Sequence, residues 1–179
     1  ESLGAKPVSD TKRGVTITVP KKMDTDLPTD LAKKFRASVV FTGPLLARFG
    51  KVSFPHPGGC VLGGRPIDVF LNAYEKLGAT IVHKNERYHI SAPKGLVGAH
   101  IHFRIPSVTG TETVLMAASL AKGKTVLRNA AMEPEVVSLA EFLQESGVKI
   151  EGIGTPTLTI YGTNGKHLIE KKAYATIPD

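Results

Sequence analysis

Tryptophan is absent from this 179-residue chain, and aromatic residues make up only 6% of it. With so few rings, there is little from which to build the base-stacking surface of a single-stranded RNA binder. One cysteine is present, Cys60, so no disulfide can close within the chain and a reducing, cytoplasmic setting is expected. No apolar run reaches the roughly 18 residues that a membrane-spanning helix needs. The opening residues ESLGAKPVSD lack the charged-then-apolar layout of a secretory leader. No GxxxxGK[ST] occurs, and Gly58-Gly59 with Gly63-Gly64 fit neither a P-loop nor a dinucleotide fingerprint.

What is present describes an ordinary folded chain. Apolar residues are 41% and charged residues 22%. That balance argues against disorder, collagen or coiled coil. At this length, folding buries roughly two thirds of the unfolded surface. Lys and Arg number 23 against 16 Asp and Glu, a net charge of +7. The excess suits an anionic partner such as a nucleotide or phosphorylated metabolite, or simply a soluble basic surface. The basic residues are scattered, with pairs at Lys21-Lys22, Lys33-Lys34 and Lys171-Lys172 and no block of five.

The strongest signal is internal repetition. ESLGAK at the start, EKLGAT at 75–80 and ESGVK at 145–149 read alike, with Gly78 74 residues after Gly4 and Gly147 69 residues after Gly78. Each is followed by a strand, a polar turn and a second strand: VTITV at 15–19, YHISA at 88–92 and TLTIY at 157–161. Ahead of Gly78, apolar residues at 67, 70, 71, 74 and 77 have helical spacing. Pro66 suits the first helical position and Gly78 a left-handed cap. Pro134 and Gly147 take the same roles in the next copy. The segments 45–54 and 120–127 each read as a helix end, a short turn and a strand. AHIHF at 99–103 reads as another strand.

These elements predict an α/β fold of repeated βαβαββ units with mixed sheets and packed helices. One unit is expected over 31–103 and another over 104–179, with 1–30 as the tail of a first unit that lacks its leading helices. The chain is therefore expected to be a piece of a longer protein.

The units differ in one link. In the later unit, residues 128–133 join strand to helix. In the earlier one, Pro55-His-Pro-Gly-Gly-Cys-Val-Leu-Gly-Gly64 does so, with four glycines and the only cysteine. Such a link predicts an exposed loop. A thiol there, near Arg65 and a helix start, is expected to have a lowered pKa. The same helix start offers N–H groups to a phosphate. His56 could serve Cys60 as a base, although no third member of a hydrolase triad is evident. His83, His89, His100, His102 and His167 fall on strand-like segments. His100 and His102 share a face but lack a companion at metal spacing, so no metal is expected. PSVTGTE at 106–112 carries capping residues at a helix start.

Together these residues resemble the UDP-N-acetylglucosamine 1-carboxyvinyltransferases, a family of enolpyruvyl transferases. The segments that carry the resemblance are FRASVVFTGPLLARFG, PGGCVLGGRPID, LGAT, GAHIHF, PSVTGTETVLMAASLAKG and NAAMEPEV. The resemblance implies an inside-out α/β barrel domain, one of two in an enzyme more than twice this length, with the active site between them. The implied reaction moves enolpyruvyl from phosphoenolpyruvate to the 3-hydroxyl of UDP-N-acetylglucosamine, by addition then elimination, at the start of cytoplasmic peptidoglycan synthesis and hence of cell-wall growth and division. No cofactor and no membrane is implied. The partner is the second domain, which holds a catalytic aspartate. A Lys-Asn pair of the first domain is also missing, so this chain alone is expected to be inactive.

Residue by residue, the resemblance makes Cys60 the proton donor that can bind phosphoenolpyruvate covalently and is alkylated by fosfomycin. It makes Arg65 the contact to phosphoenolpyruvate and the nucleotide. Pro66, Ile67, Asp68 and Val69 hold the uridine end, Arg36 meets the nucleotide sugar, and Ser107 and Val108 lie beside the diphosphate. Two positions depart: Ile105 stands where some members have lysine, and Phe70 where many have histidine near the uracil. A non-enzymatic or RNA-binding protein on the same unit is the alternative, which the Cys60–Arg65 pairing disfavours. A shikimate-pathway transferase is disfavoured by the cysteine loop.

Overall fold

The structure is a computed structural model and describes residues 2–11, 14–58, 66–166, 174–175 and 177. Strands β1 (Lys6–Thr11) and β2 (Gly14–Thr18) form an antiparallel hairpin. Then come α1 (Thr29–Lys34), a 3-10 segment (Arg36–Phe41), α2 (Thr42–Phe49) and β3 (Lys51–Pro55). Helix α3 (Asp68–Lys76) leads to the hairpin β4 (Thr80–Lys84) and β5 (Arg87–Ser91). The pattern then repeats as β6 (His100–His102), α4 (Val108–Ser119), β7 (Lys122–Arg128), α5 (Pro134–Glu145), β8 (Lys149–Glu151) and β9 (Thr157–Thr163).

The two larger sheets share one topology. In the later sheet the order is β6-β7-β9-β8, with β6 parallel to β7 and the other pairs antiparallel. The earlier sheet runs β3-β5-β4, all antiparallel. Its parallel neighbour is reduced to one bridge, Asp26 to Ser53, flanked by Leu27 N–H to Ser53 O at 2.8 Å and Ser53 N–H to Thr25 O at 2.8 Å. Arg87 secures that short edge. It bonds Ser53 Oγ at 3.2 Å, Thr29 Oγ1 at 2.8 Å and the Leu27 carbonyl at 2.9 Å, and pairs with Asp26.

The glycine reading of the repeat holds. Gly4, Gly78 and Gly147 have φ of 94°, 91° and 105°, a left-handed geometry that costs glycine nothing. Pro134 opens α5 as expected. Pro66 does not open α3: the helix begins at Asp68 with Ile67 as its cap, so Pro66 lies one residue ahead of the cap. The Ile67 cap makes no side-chain hydrogen bond, and the first turn carries the Asp68 carboxylate, which the positive end of the helix favours.

The helices are the interior and the sheets the outside. Val52, Phe54, Ile90, Leu127, Leu158 and Ile160 face inward, while Lys122, Lys124 and Arg128 face water. Phe54, Phe70 and Tyr74 pack ring on ring, with Phe70 in edge contact with Tyr74 at 5.9 Å. The buried Tyr74 hydroxyl donates to Thr42 Oγ1 at 2.8 Å, since the Thr42 hydroxyl is given to the Val39 carbonyl at 2.6 Å. Burial pushes that phenol well above its ordinary pKa. Helix α4 lies deepest, with Gly110, Thr111, Thr113, Val114, Leu115, Ala117, Ala118 and Ser119 all buried.

Helix α2 crosses α4 at Gly43, where an added Cβ would lie 2.5 Å from the Thr113 carbonyl oxygen. Gly43→Ala must therefore push the two helices apart. The expected loss is about 2 kcal/mol, read as a lower urea midpoint with unchanged slope.

Candidate functional site

Of the sequence-predicted residues, Pro66–Val69 and Ser107–Val108 fall at the starts of α3 and α4, which the Arg104–Asp68 contact brings together. Ser107 caps α4: its backbone is extended, and its Oγ accepts the Gly110 N–H at 3.1 Å. Gly110 permits that approach, since a Cβ there would stand 2.9 Å from Ser107 Oγ. The Ser107 carbonyl takes Thr111 N–H and Thr111 Oγ1, each at 2.8 Å. Thr111 Oγ1 in turn accepts Ala131 N–H at 3.0 Å, which ties the helix start to the turn after β7. Asn129, in left-handed geometry at φ 58°, donates from Nδ2 to the Phe103 carbonyl at 2.9 Å. Val108 N–H and its neighbours lie at the positive end of the α4 dipole, a setting suited to an anion.

Pro66 is exposed at the entrance to α3, while Ile67 and Val69 are buried. Those two side chains belong to the core, so the residues offer a ligand only backbone groups. Asp68 is half-buried and takes a two-point bond from Arg104, Nε to Oδ2 at 3.1 Å and Nη2 to Oδ1 at 3.1 Å. This guanidinium holds the Asp68 carboxyl below its usual pKa, helped by the backbone N–H groups of Asp68 and Val69. Arg104 was not among the expected site residues. A depression of about 450 Å³ lies beside it, walled by Val69, Asn72, Lys76, His102 and Phe103.

Arg36 opens the 3-10 segment, directly after the chain extends at Phe35 (φ −146°, ψ 135°). It is half-buried, and its segment packs on α4. Gly58, the last described residue before the cysteine segment, lies against α1. Gly58 N–H bonds the Ala32 carbonyl at 3.3 Å, and a Cβ on Gly58 would overlap the Lys33 carbonyl at 2.0 Å. Cys60 and Arg65 lie outside the described residues, as does His167.

The expectation for Phe70 changes. It is buried at 2% exposure among Phe54 and Tyr74, so it forms no stacking surface for a base. Ile105, by contrast, is exposed in the turn before α4. His100 and His102 both face outward from β6, and His83 stacks on Tyr88 at 4.4 Å. Among the described residues no three His, Cys, Asp or Glu side chains gather as a metal site. Glu112, one turn from the α4 start, has its pKa raised by burial and by Glu135.

With this geometry in view, the comparisons are direct. Residues 1–179 match the family described as EPSP synthase (3-phosphoshikimate 1-carboxyvinyltransferase). The chain belongs to that family of enolpyruvyl transferases. It is 48% identical over 179 residues to the UDP-N-acetylglucosamine 1-carboxyvinyltransferase of Wolinella succinogenes, covering all of this chain and 42% of that protein. It is 54% identical over 150 residues to the enzyme of the same name from Campylobacter hominis, covering 84% of this chain and 35% of that one. The chain thus spans well under half the length of these relatives. In fold it is similar to the enolpyruvyl transferase NikO from Streptomyces tendae (TM-score 0.72, 20% identity, 94% of this chain and 39% of that one). It is likewise similar to EPSP synthase from Acinetobacter baumannii (TM-score 0.66, 17% identity, 94% and 38%).

Two outcomes check the site. Ser107→Ala removes the α4 cap and should cost about 1 kcal/mol in urea unfolding. The Asp68 carboxyl should titrate below the ordinary aspartate range by carbon-detected NMR, and Arg104→Ala should raise its midpoint. Because its folded pKa is depressed, its small contribution to stability is present above the unfolded pKa and is lost as pH falls through the folded one.

Proposed function

We propose that this chain is the cysteine-loop portion of a UDP-N-acetylglucosamine 1-carboxyvinyltransferase that serves peptidoglycan synthesis in the cytoplasm. It comprises the tail of one βαβαββ unit (1–30) and two further units (31–103 and 104–179) of a single domain. The observation that carries the reading is the 48% identity over a match that spans all 179 residues.

In the proposed reaction the 3-hydroxyl of UDP-N-acetylglucosamine gives its proton to the catalytic aspartate that the resemblance assigns to the second domain, and its oxygen bonds to C2 of phosphoenolpyruvate while a proton adds to C3. Loss of a C3 proton and departure of phosphate then regenerate the vinyl group. Cys60 delivers the proton to C3. Arg65 faces the carboxylate and phosphate with a planar fork of donors. Arg36, the 66–69 helix start, and the amides at Ser107 and Val108 hold the nucleotide sugar. The burial of Ile67 and Val69 supports contact through their backbone groups. The opposite wall of the cleft comes from the second domain. Proton transfer and addition need groups placed to within about an ångström, so the isolated chain binds without turning over.

The test is phosphate release by the full-length polypeptide, dependent on both substrates. Cys60→Ala should lower the rate at least about a hundredfold, the scale of a lost general acid. The isolated chain, titrated with UDP-N-acetylglucosamine, should show amide shifts at Arg36, Pro66–Val69 and Ser107–Val108. Turnover with shikimate 3-phosphate instead, or steeply salt-dependent RNA binding without turnover, would replace this reading.

A further inference from the structure

The Arg104–Asp68 fork joins the two segments that the functional reading assigns to the nucleotide. Asp68 opens α3, and Arg104 stands in the turn between β6 and α4, 36 residues further on. Both ends are rooted in rigid structure. Phe103, beside Arg104, is buried, donates its N–H to the Arg128 carbonyl at 3.0 Å and receives Asn129 Nδ2 at 2.9 Å. Asp68 is followed by the buried Val69 and Phe70. Two guanidinium nitrogens engage the carboxylate, Nε at Oδ2 and Nη2 at Oδ1 with Oδ2 also 3.1 Å away, a two-point contact that restrains the carboxylate's orientation as well as its place.

The side chains of the pair are 57% and 48% exposed, so solvent screens it and it adds little to folding. Its consequence is local: it sets the separation of the α3 start from the α4 start and keeps Asp68 an ionised acceptor. We propose that Arg104 is a positioning residue for the nucleotide substrate, acting through Asp68 and not by touching the ligand. The proposal rests on the functional reading above.

The test uses the full-length polypeptide with both substrates varied. Arg104→Ala should raise KM for UDP-N-acetylglucosamine about fivefold, the scale of an exposed charge pair, with kcat and the phosphoenolpyruvate KM close to wild type. Arg104→Lys should recover less than half of the loss, since an ammonium cannot reproduce the fork. Asp68→Asn should raise the same KM, and adding Arg104→Ala to it should raise it no further. The thermal midpoint of Arg104→Ala should match wild type.

Additive effects in the double variant would mean that Arg104 binds the ligand itself and would overturn the proposal. So would an unchanged KM, full rescue by lysine, or a fall in kcat that tracks a lower thermal midpoint. Wild-type protein that fails to transfer enolpyruvyl would sink the functional reading and this proposal together. An active wild type with an indifferent Arg104→Ala would sink the proposal alone.

Discussion

Helix α4 has almost no face left for water. It packs against α2, α3, α5, β9 and the 3-10 segment at once, and the rest of the fold is arranged by that requirement. An amphipathic stripe cannot serve a helix enclosed in this way. Its composition answers the constraint: Gly110, Thr111, Thr113, Ala117, Ala118 and Ser119 are small enough for neighbours to close in from several sides. Their hydroxyls are disposed of within the helix, as when Ser119 Oγ donates to the Leu115 carbonyl at 2.7 Å. Val114 and Leu115 provide the larger apolar bodies, each worth about 2 kcal/mol on burial. Sheets that cover such helices are apolar on one face only, which accounts for the basic outer face of β7 and the exposed Lys149–Glu151 pair on β8.

Burying the helix leaves its ends as the places where chemistry can occur. The start of α4 emerges next to the start of α3, with the Ser107 cap on one and the Asp68 carboxylate, held by Arg104, in the first turn of the other. Thr111 and Asn129 then brace the turn from behind, using hydrogen bonds that a core of aliphatic groups could not supply. The expected ligand segments are therefore held by the same packing that stabilises the domain. A substitution such as Gly43→Ala, although remote from the ligand segments, acts on the α4 axis that carries Ser107 and Val108.

Much of this was legible in the sequence because the unit occurs more than once. The glycines at 4, 78 and 147 mark the same left-handed turn, and the hairpins after them appear where the alternating residues put them. The misreadings have local causes. Pro66 looks like Pro134, but Ile67 takes the cap position of α3 and Asp68 its first turn, so the helix starts later than the proline suggests. Ahead of β3 the place of α4 is taken by the 3-10 segment running into α2, a change of helix type that helical spacing alone does not show. Arg104 went unread because a bond spanning 36 residues leaves no periodic trace. The same holds for Arg87, whose four partners include residues 26–29 across the earlier sheet.

The two positions that the resemblance marks as departures, Ile105 and Phe70, have unlike physical weight. Ile105 is exposed in the turn before α4, so exchanging a cation for a butyl group there alters the potential at the helix start directly. Phe70 lies inside an aromatic cluster with Phe54 and Tyr74, and the backbone of α3 points it away from solvent. A histidine in that place would need a buried hydrogen-bond partner, whereas phenylalanine needs only the ring contacts it has. The first substitution changes what a ligand meets. The second changes how α3 is seated, and reaches a ligand only through the position of residues 66–69.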